Sequence, residues 1–159
     1  MWFWVLLLQI AFATPPPGWD LVGVTDGVEV SRKVMSGSGL FAFRGETISD
    51  IPAATLSSVI WNDPIGPEWV DLMYLSAELT SYDEYTKLVH QGYDLPWPIQ
   101  DRDYVMKEQR TYDQDSKIIT ITFQSVEDSL MPVQECCVRA VAYRTFWYLE
   151  VLPSGQTKV

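Results

Sequence analysis

The chain is poor in the residues on which most chemistry is built: it has one histidine, two cysteines and one asparagine in 159 residues. His90 is accompanied by neither a Gly-x-Ser-x-Gly elbow nor a Cys/His cluster at metal spacing, which removes the usual routes to nucleophilic or zinc catalysis. A lone histidine near a strand end is more often structural, so a hydrolase using His90 is kept only as an alternative. Asp101 and Asp103 read as partners of Arg102 rather than as an acid and a base. The Gly37-Ser38-Gly39 turn lacks the helix and lysine that a phosphate loop needs. Asn62 precedes Asp63-Pro64, so there is no glycosylation acceptor. Cys136 and Cys137 are adjacent; in a strand they would face opposite ways, which disfavours a disulfide between them and leaves one packed inward and the other exposed. Positive charge is scarce, with 11 basic against 21 acidic residues and a net charge of −10. No basic stripe exists to neutralise phosphates, which argues against nucleic acid. The same deficit disfavours stable docking on anionic lipid, so a membrane contact would be brief or hydrophobic.

Long apolar runs are also missing. Met1 to Ala13 is uncharged and apolar but too short to span a bilayer comfortably, and Pro15-Pro16-Pro17 ends any helix beyond it. Its close, Ala11-Phe12-Ala13, suits signal peptidase, so residues 1–13 are expected to be a secretory leader with the mature chain starting at Thr14. Residues 14–18 are a Pro-rich linker, and residues 19–159 form one domain. The compartment is the secretory pathway if the leader operates, and the cytoplasm otherwise.

What the chain has is aromatic and aliphatic residues: 47% hydrophobic, 13% aromatic and only 20% charged. That composition supports one globular core, and it fits either a thick core or a cavity lined by amphipathic rings. Trp19–Val22 and Val28–Lys33 alternate around Asp26-Gly27, a hairpin signal, and Leu40–Glu46 supplies a third strand. Ser49 or Asp50 is placed to cap a helix with Pro52 in its first turn and Ala53, Leu56, Val59 and Ile60 on its apolar face. Pro64 and Pro67 break it and start a shorter helix around Trp69–Leu72. From Glu84 onward the chain reads mostly as strand, with segments at Tyr104–Thr111, Lys117–Glu127, Val138–Thr145 and Phe146–Leu152. Strands, helices, then a run of antiparallel strands indicate an α+β domain with helices on one face of a curved sheet.

Tyr93-Asp-Leu-Pro-Trp-Pro-Ile-Gln-Asp-Arg-Asp-Tyr-Val105 fixes a rigid corner, because Pro96 and Pro98 hold their own φ near −65° and push Leu95 and Trp97 into extended conformations. Arg102, between two aspartates, can be satisfied by forked hydrogen bonds at the strand mouth. This stretch, Ser125-Val126-Glu127, Val138-Arg139 and Leu152-Pro-Ser-Gly-Gln-Thr157 recur here in an order that resembles a START domain. The likeness covers Trp19–Val159, and Pro96–Tyr104 with Val138-Arg139 is most similar to the phosphatidylcholine-transfer branch. The resemblance implies a helix-grip fold, a curved antiparallel sheet closed over a lipid cavity by a C-terminal helix. A chain ending at Val159 is expected to lack that lid and to leave apolar surface open. A truncated structural or interaction protein without a working cavity is therefore the second alternative.

Strand alternation places Tyr104, Met106, Glu108 and Arg110 on one side of their strand, and Arg139, Val141, Tyr143 and Thr145 on one side of a later one. Aromatics mixed with isolated charges suit a wet or ligand-lined cavity, or a solvated outer face. The resemblance implies an aromatic cage for a choline head at Tyr104 and Tyr143, with a third position at Gln91 and Tyr93 beside it; rings attract quaternary ammonium through their quadrupoles. It also puts Gly66 where a phosphate-holding arginine is expected, and Glu108 where the sterol branch has its cavity arginine. The expected function is noncatalytic binding or transfer of one amphipathic lipid, phospholipid over sterol, without cofactor or metal. The expected site is Gln91, Tyr93, Tyr104, Met106, Glu108, Arg139, Val141, Tyr143, Thr145 and Trp147.

Overall fold

The computed structural model describes residues 15–159, so the leader expected over Met1–Ala13 lies outside the described residues. The chain divides into two compact units at Thr47/Ile48.

The first unit is a three-stranded antiparallel sheet of β1 (Asp20–Thr25), β2 (Val28–Val34) and β3 (Phe41–Glu46), in that order. The expected hairpin forms because Asp26 and Gly27 both take positive φ, 51° and 79°. This is the primed turn whose twist matches that of its flanking strands. Thr47 Oγ1 donates to the Gly27 carbonyl and ties the end of β3 back to this turn.

The second unit is a curved antiparallel sheet in the order β4 (Ile48–Ser49), β11 (Thr157–Lys158), β10 (Thr145–Val151), β8 (Ile118–Ser125), β7 (Arg102–Asp113), β6 (Thr86–Tyr93) and β5 (Met73–Asp83). A two-residue strand, β9 (Val138–Arg139), runs parallel to β7 at Arg102–Asp103. β8 leaves the ladder at Ser125 opposite Met106, so β9 fills the lane beside β7 that β8 vacates. Helix α1 (Ala53–Trp61) packs on β8 and β10, while a 3-10 turn (Asp63–Ile65) and α2 (Gly66–Trp69) pack on β5. Val89, Met106, Ile121 and Phe123 form the core under Ile60 and Trp61 of α1. This is the α+β, helix-grip arrangement expected, and among the described residues no helix follows β11. Nor is any helix among them long and apolar enough to cross a membrane.

Several local expectations need correction. Pro52, not Ser49 or Asp50, is the N-cap of α1, with no side-chain cap bond; Ser49 Oγ accepts from Ile51 N, and Asp50 accepts from Gln156. The second helix ends at Trp69 rather than starting there, and Leu72 takes a φ of 64° before β5. After the helices strand structure resumes at Met73, well before Glu84. β5 hides from a period-two reading because its register shifts three times against β6, and each irregularity resets which residues face inward. The strand expected over Val138–Thr145 is two residues followed by a loop. Cys136 and Cys137 are joined by a disulfide; they lie in a turn, not a strand, so the alternation argument against pairing does not apply to them.

Candidate functional site

Strand register sets the face on which the site is built. β6 pairs with β7 so that Lys87 lies opposite Glu108, Val89 opposite Met106, Gln91 opposite Tyr104 and Tyr93 opposite Arg102. β7 pairs with β8 so that Phe123 faces the row of Glu108, and β10 brings Thr145 beside Phe123 and Trp147 beside Ile121. Paired residues share a face, so one side of four strands carries these side chains together. α1, the 3-10 turn and α2 cover part of that side with Ile60, Asn62, Asp63, Gly66 and Trp69. Between them lies a cavity of about 390 Å³, within the range of small-molecule sites.

Its walls are mainly apolar: Ile60, Trp69, Val70, Met73, Leu95, Met106, Phe123, Ala142 and Trp147. Trp69 and Trp147 meet edge to face at 6.0 Å, joining α2 to β10 across the cavity. Polar groups gather where β6 ends and β7 begins. Tyr93 and Tyr104 stack edge to face at 5.6 Å and 84°. Tyr93 donates its hydroxyl proton to Gln91 Oε1 at 3.1 Å. Burial, helped by Tyr104, pushes the Tyr93 phenol up to about 12, so it stays a neutral donor.

A buried ionic cluster lies at the edge of this face. Lys87 Nζ donates to the Trp61 carbonyl at 2.6 Å and to Asp63 Oδ2, and sits 4.2 Å over the Trp61 ring. It is also 3.2 Å from Glu108 Oε2. That contact is an ion pair without hydrogen-bond alignment, for neither Glu108 oxygen has a hydrogen-bond partner. Burial, with repulsion from Asp63, outweighs the pull of Lys87 and pushes the Glu108 carboxyl up to about 8. At neutral pH Glu108 is therefore mostly protonated, and one ammonium balances one carboxylate.

A second cluster lies on the opposite face. Arg139 Nε and Nη2 donate to the two oxygens of Asp103 at 3.1 and 2.7 Å, and His90 Nε2 lies 3.1 Å from Asp103 Oδ2. Arg139 Nη1 also donates to the Met131 carbonyl at 3.2 Å, which pins the 126–137 loop to the sheet. Burial works to raise the Asp103 pKa, but the hydrogen bonds from Arg139 and His90 together hold it below the usual carboxylate value.

Six of the ten residues singled out from sequence come together in the cavity: Gln91, Tyr93, Tyr104, Met106, Thr145 and Trp147. Four do not. Glu108 shares their face but is fully buried outside the cavity lining, paired with Lys87. Arg139 belongs to the far cluster, because its side chain follows Asp103 rather than the cavity. Val141 and Tyr143, 62% and 75% exposed, sit in the loop between β9 and β10, where the assumed strand alternation does not exist. Of the two rings expected together at Tyr104 and Tyr143, Tyr104 lines the cavity against Tyr93 and Tyr143 does not line it. His90 faces away from the cavity. Sequence reading missed Asp63, Lys87, Met73, Phe123 and Arg102; two of them carried a signal, Lys87 as the next inward position after Gln91 and Val89, and Arg102 as the next after Met106 and Tyr104.

A START domain family model matches residues 15–159. The chain belongs to the START domain family. It is similar in fold to the STAR-related lipid transfer protein of Xanthomonas axonopodis, with a TM-score of 0.80 and 23% identity over 89% of this chain and 77% of that one. Human STARD10 gives a TM-score of 0.79 at 19% identity, over 91% of this chain and 59% of its own. Human StAR-related lipid transfer protein 5 gives 0.76 at 18% identity, over 91% and 70%. No curated protein matches this START domain by sequence.

Proposed function

We propose that this START domain holds one amphipathic lipid in its cavity, a phospholipid in preference to a sterol, and exchanges it during transient contact with a membrane. The observation that carries the reading is the division of the cavity: apolar walls along Phe123, Met106 and Trp147, and a polar aromatic end at Gln91, Tyr93 and Tyr104. Apolar walls take acyl chains through the hydrophobic effect, and rings at one end receive a head group, with a cationic ammonium drawn to their π faces. Membrane contact is supported by Trp97, 92% exposed on the Pro96–Pro98 bracket, in the link between β6 and β7 whose flanking residues Leu95 and Arg102 line the cavity. A tryptophan so placed suits the membrane interface, and with a net charge of −10 the contact would be hydrophobic rather than electrostatic.

Native mass spectrometry on protein purified from lipid-rich cells should show a one-to-one lipid adduct with choline phospholipid enriched. A folded protein that reproducibly carries nothing counts against the reading, and sterol as the only adduct reverses the preference.

A further inference from the structure

The charge pattern at the cavity mouth differs from what Asp101-Arg102-Asp103 suggests. Arg102 should be neutralised by its neighbours, yet both aspartates are committed elsewhere. Asp101 Oδ1 accepts from Leu95 N at 3.1 Å, and Asp103 points to the opposite face and is held by Arg139 and His90. Arg102 keeps only bonds from Nη1 to the carbonyls of Gln100 and Asp101, at 2.6 and 3.4 Å. It makes no ion pair among the described residues, and its Nε and Nη2 donate to nothing among them.

Alternation along β7 turns this guanidinium to the same side as Tyr104 and Met106, and it lines the cavity. The other charged residue in the lining is Asp63, already balanced by Lys87. Lys87 itself is fully engaged with Trp61 and Asp63. The wall at Gly66 carries no cation, and a Cβ added there would already meet Met73 Sδ at 2.8 Å and Ser76 Cβ at 3.1 Å. A half-buried guanidinium beside an apolar cavity, with free donors in a fork, is complementary to a two-oxygen anion. Low surrounding polarity strengthens that attraction.

We propose that Arg102 is the anion-binding residue of the cavity, so that the lipid taken up carries a phosphodiester or carboxylate beside Tyr93 and Tyr104. This rests on the lipid-binding reading and narrows it, since a neutral lipid would leave Arg102 unpaired.

Three pyrene-labelled probes presented from neutral vesicles separate the cases: phosphatidylcholine, a fatty acid and diacylglycerol. The parent protein should bind one of the two anionic-group probes about tenfold or more tightly than diacylglycerol, the effect of one charge-assisted bond. Which of the two it prefers distinguishes phosphodiester from carboxylate. Arg102→Gln, checked for a native circular dichroism spectrum and melting temperature, should lose that preference while holding diacylglycerol within about twofold, and Arg102→Lys should recover part of it. Unchanged anionic-probe binding in folded Arg102→Gln overturns the proposal, as does an equal loss of all three probes. Should the variants not fold, equal affinity of the parent for charged and neutral probes overturns it as well. If the parent binds none of the three, it is the lipid reading itself that fails.

Discussion

Two buried ionic clusters lie on opposite faces of β7, only five residues apart in sequence at Asp103 and Glu108, and they resolve the same difficulty in different ways. At Asp103 a carboxylate meets a guanidinium and a histidine, every oxygen accepts, and the pKa falls. At Glu108 two carboxylates share one lysine, Asp63 takes its hydrogen bond, and the remaining acid keeps its proton up to about pH 8. The difference shows that burial alone does not fix the state of a carboxyl group; the number of donors aimed at it decides. The balanced cluster fastens the 126–137 loop. The unbalanced one joins the α1 end and the 3-10 turn to the sheet that floors the cavity.

The comparison breaks most sharply at the cations. Lys87→Met removes the only ammonium between Asp63 and Glu108, leaving Asp63 charged and buried, and should cost about 3–5 kcal/mol of stability. Arg139→Met on the other face should cost less, about 1–3 kcal/mol, because His90 still holds Asp103 and the site is nearer water. Urea unfolding of both variants measures the gap. Equal costs would mean that the two clusters are energetically alike.

Acid and base sharpen it next. Glu108 keeps its proton to about pH 8 when folded, against an ordinary value of 4.5. Its contribution is fully present below pH 4.5 and is lost as pH rises toward 8, because the unfolded chain then binds fewer protons than the folded one. Asp103 behaves oppositely: its pKa is lowered from 3.8, so its contribution is present above that pH and lost as pH falls through its folded value. Glu108→Gln should therefore nearly match the parent near pH 5 and exceed it by about 4 kcal/mol at pH 8.5, given a shift from 4.5 to about 8 and about 1.4 kcal/mol per pKa unit. Urea midpoints that run parallel for parent and variant from pH 5 to 8.5 would show that Glu108 is ionised as in water.

How far the sequence foretold this depends on the range of the interaction. The Asp26-Gly27 turn was legible because two adjacent residues set it. The Tyr104, Met106, Glu108 face was legible because alternation within one regular strand needs no partner. Tyr143 and Val141 were misplaced because the same rule was applied across residues 140–144, where the backbone leaves the ladder and the rule has no meaning. Arg102 was misread for another reason: its neighbours in sequence point to the other face or to a backbone amide, and only the positions of Leu95 and Arg139 reveal it. The Lys87–Asp63–Glu108 cluster required the register between β6 and β7 and the docking of the 3-10 turn, neither of which is written in local pattern. The START resemblance supplied the fold that local reading could not, but it did not supply these pairings.

The smallest expected effect concerns His90, the one histidine of the chain. Its single bond to Asp103, 3.1 Å from Nε2 to Oδ2, is one of three on that carboxylate, and Arg139 makes the other two. His90→Leu should thus cost only about 1 kcal/mol, the net value of an ordinary hydrogen bond whose acceptor stays satisfied. Combined with Arg139→Met the cost should exceed the sum, because the second loss strands a buried carboxylate that either partner alone could hold. A double-mutant cycle by urea denaturation should give a coupling of about 0.5 kcal/mol or more, the range found for residues within one network. The same cycle between His90→Leu and Glu108→Gln, across the sheet, should be additive within about 0.5 kcal/mol, since the two clusters share no partner. Coupling across the sheet, or none within the Asp103 cluster, would show that the two faces are not the separate ionic systems their geometry describes.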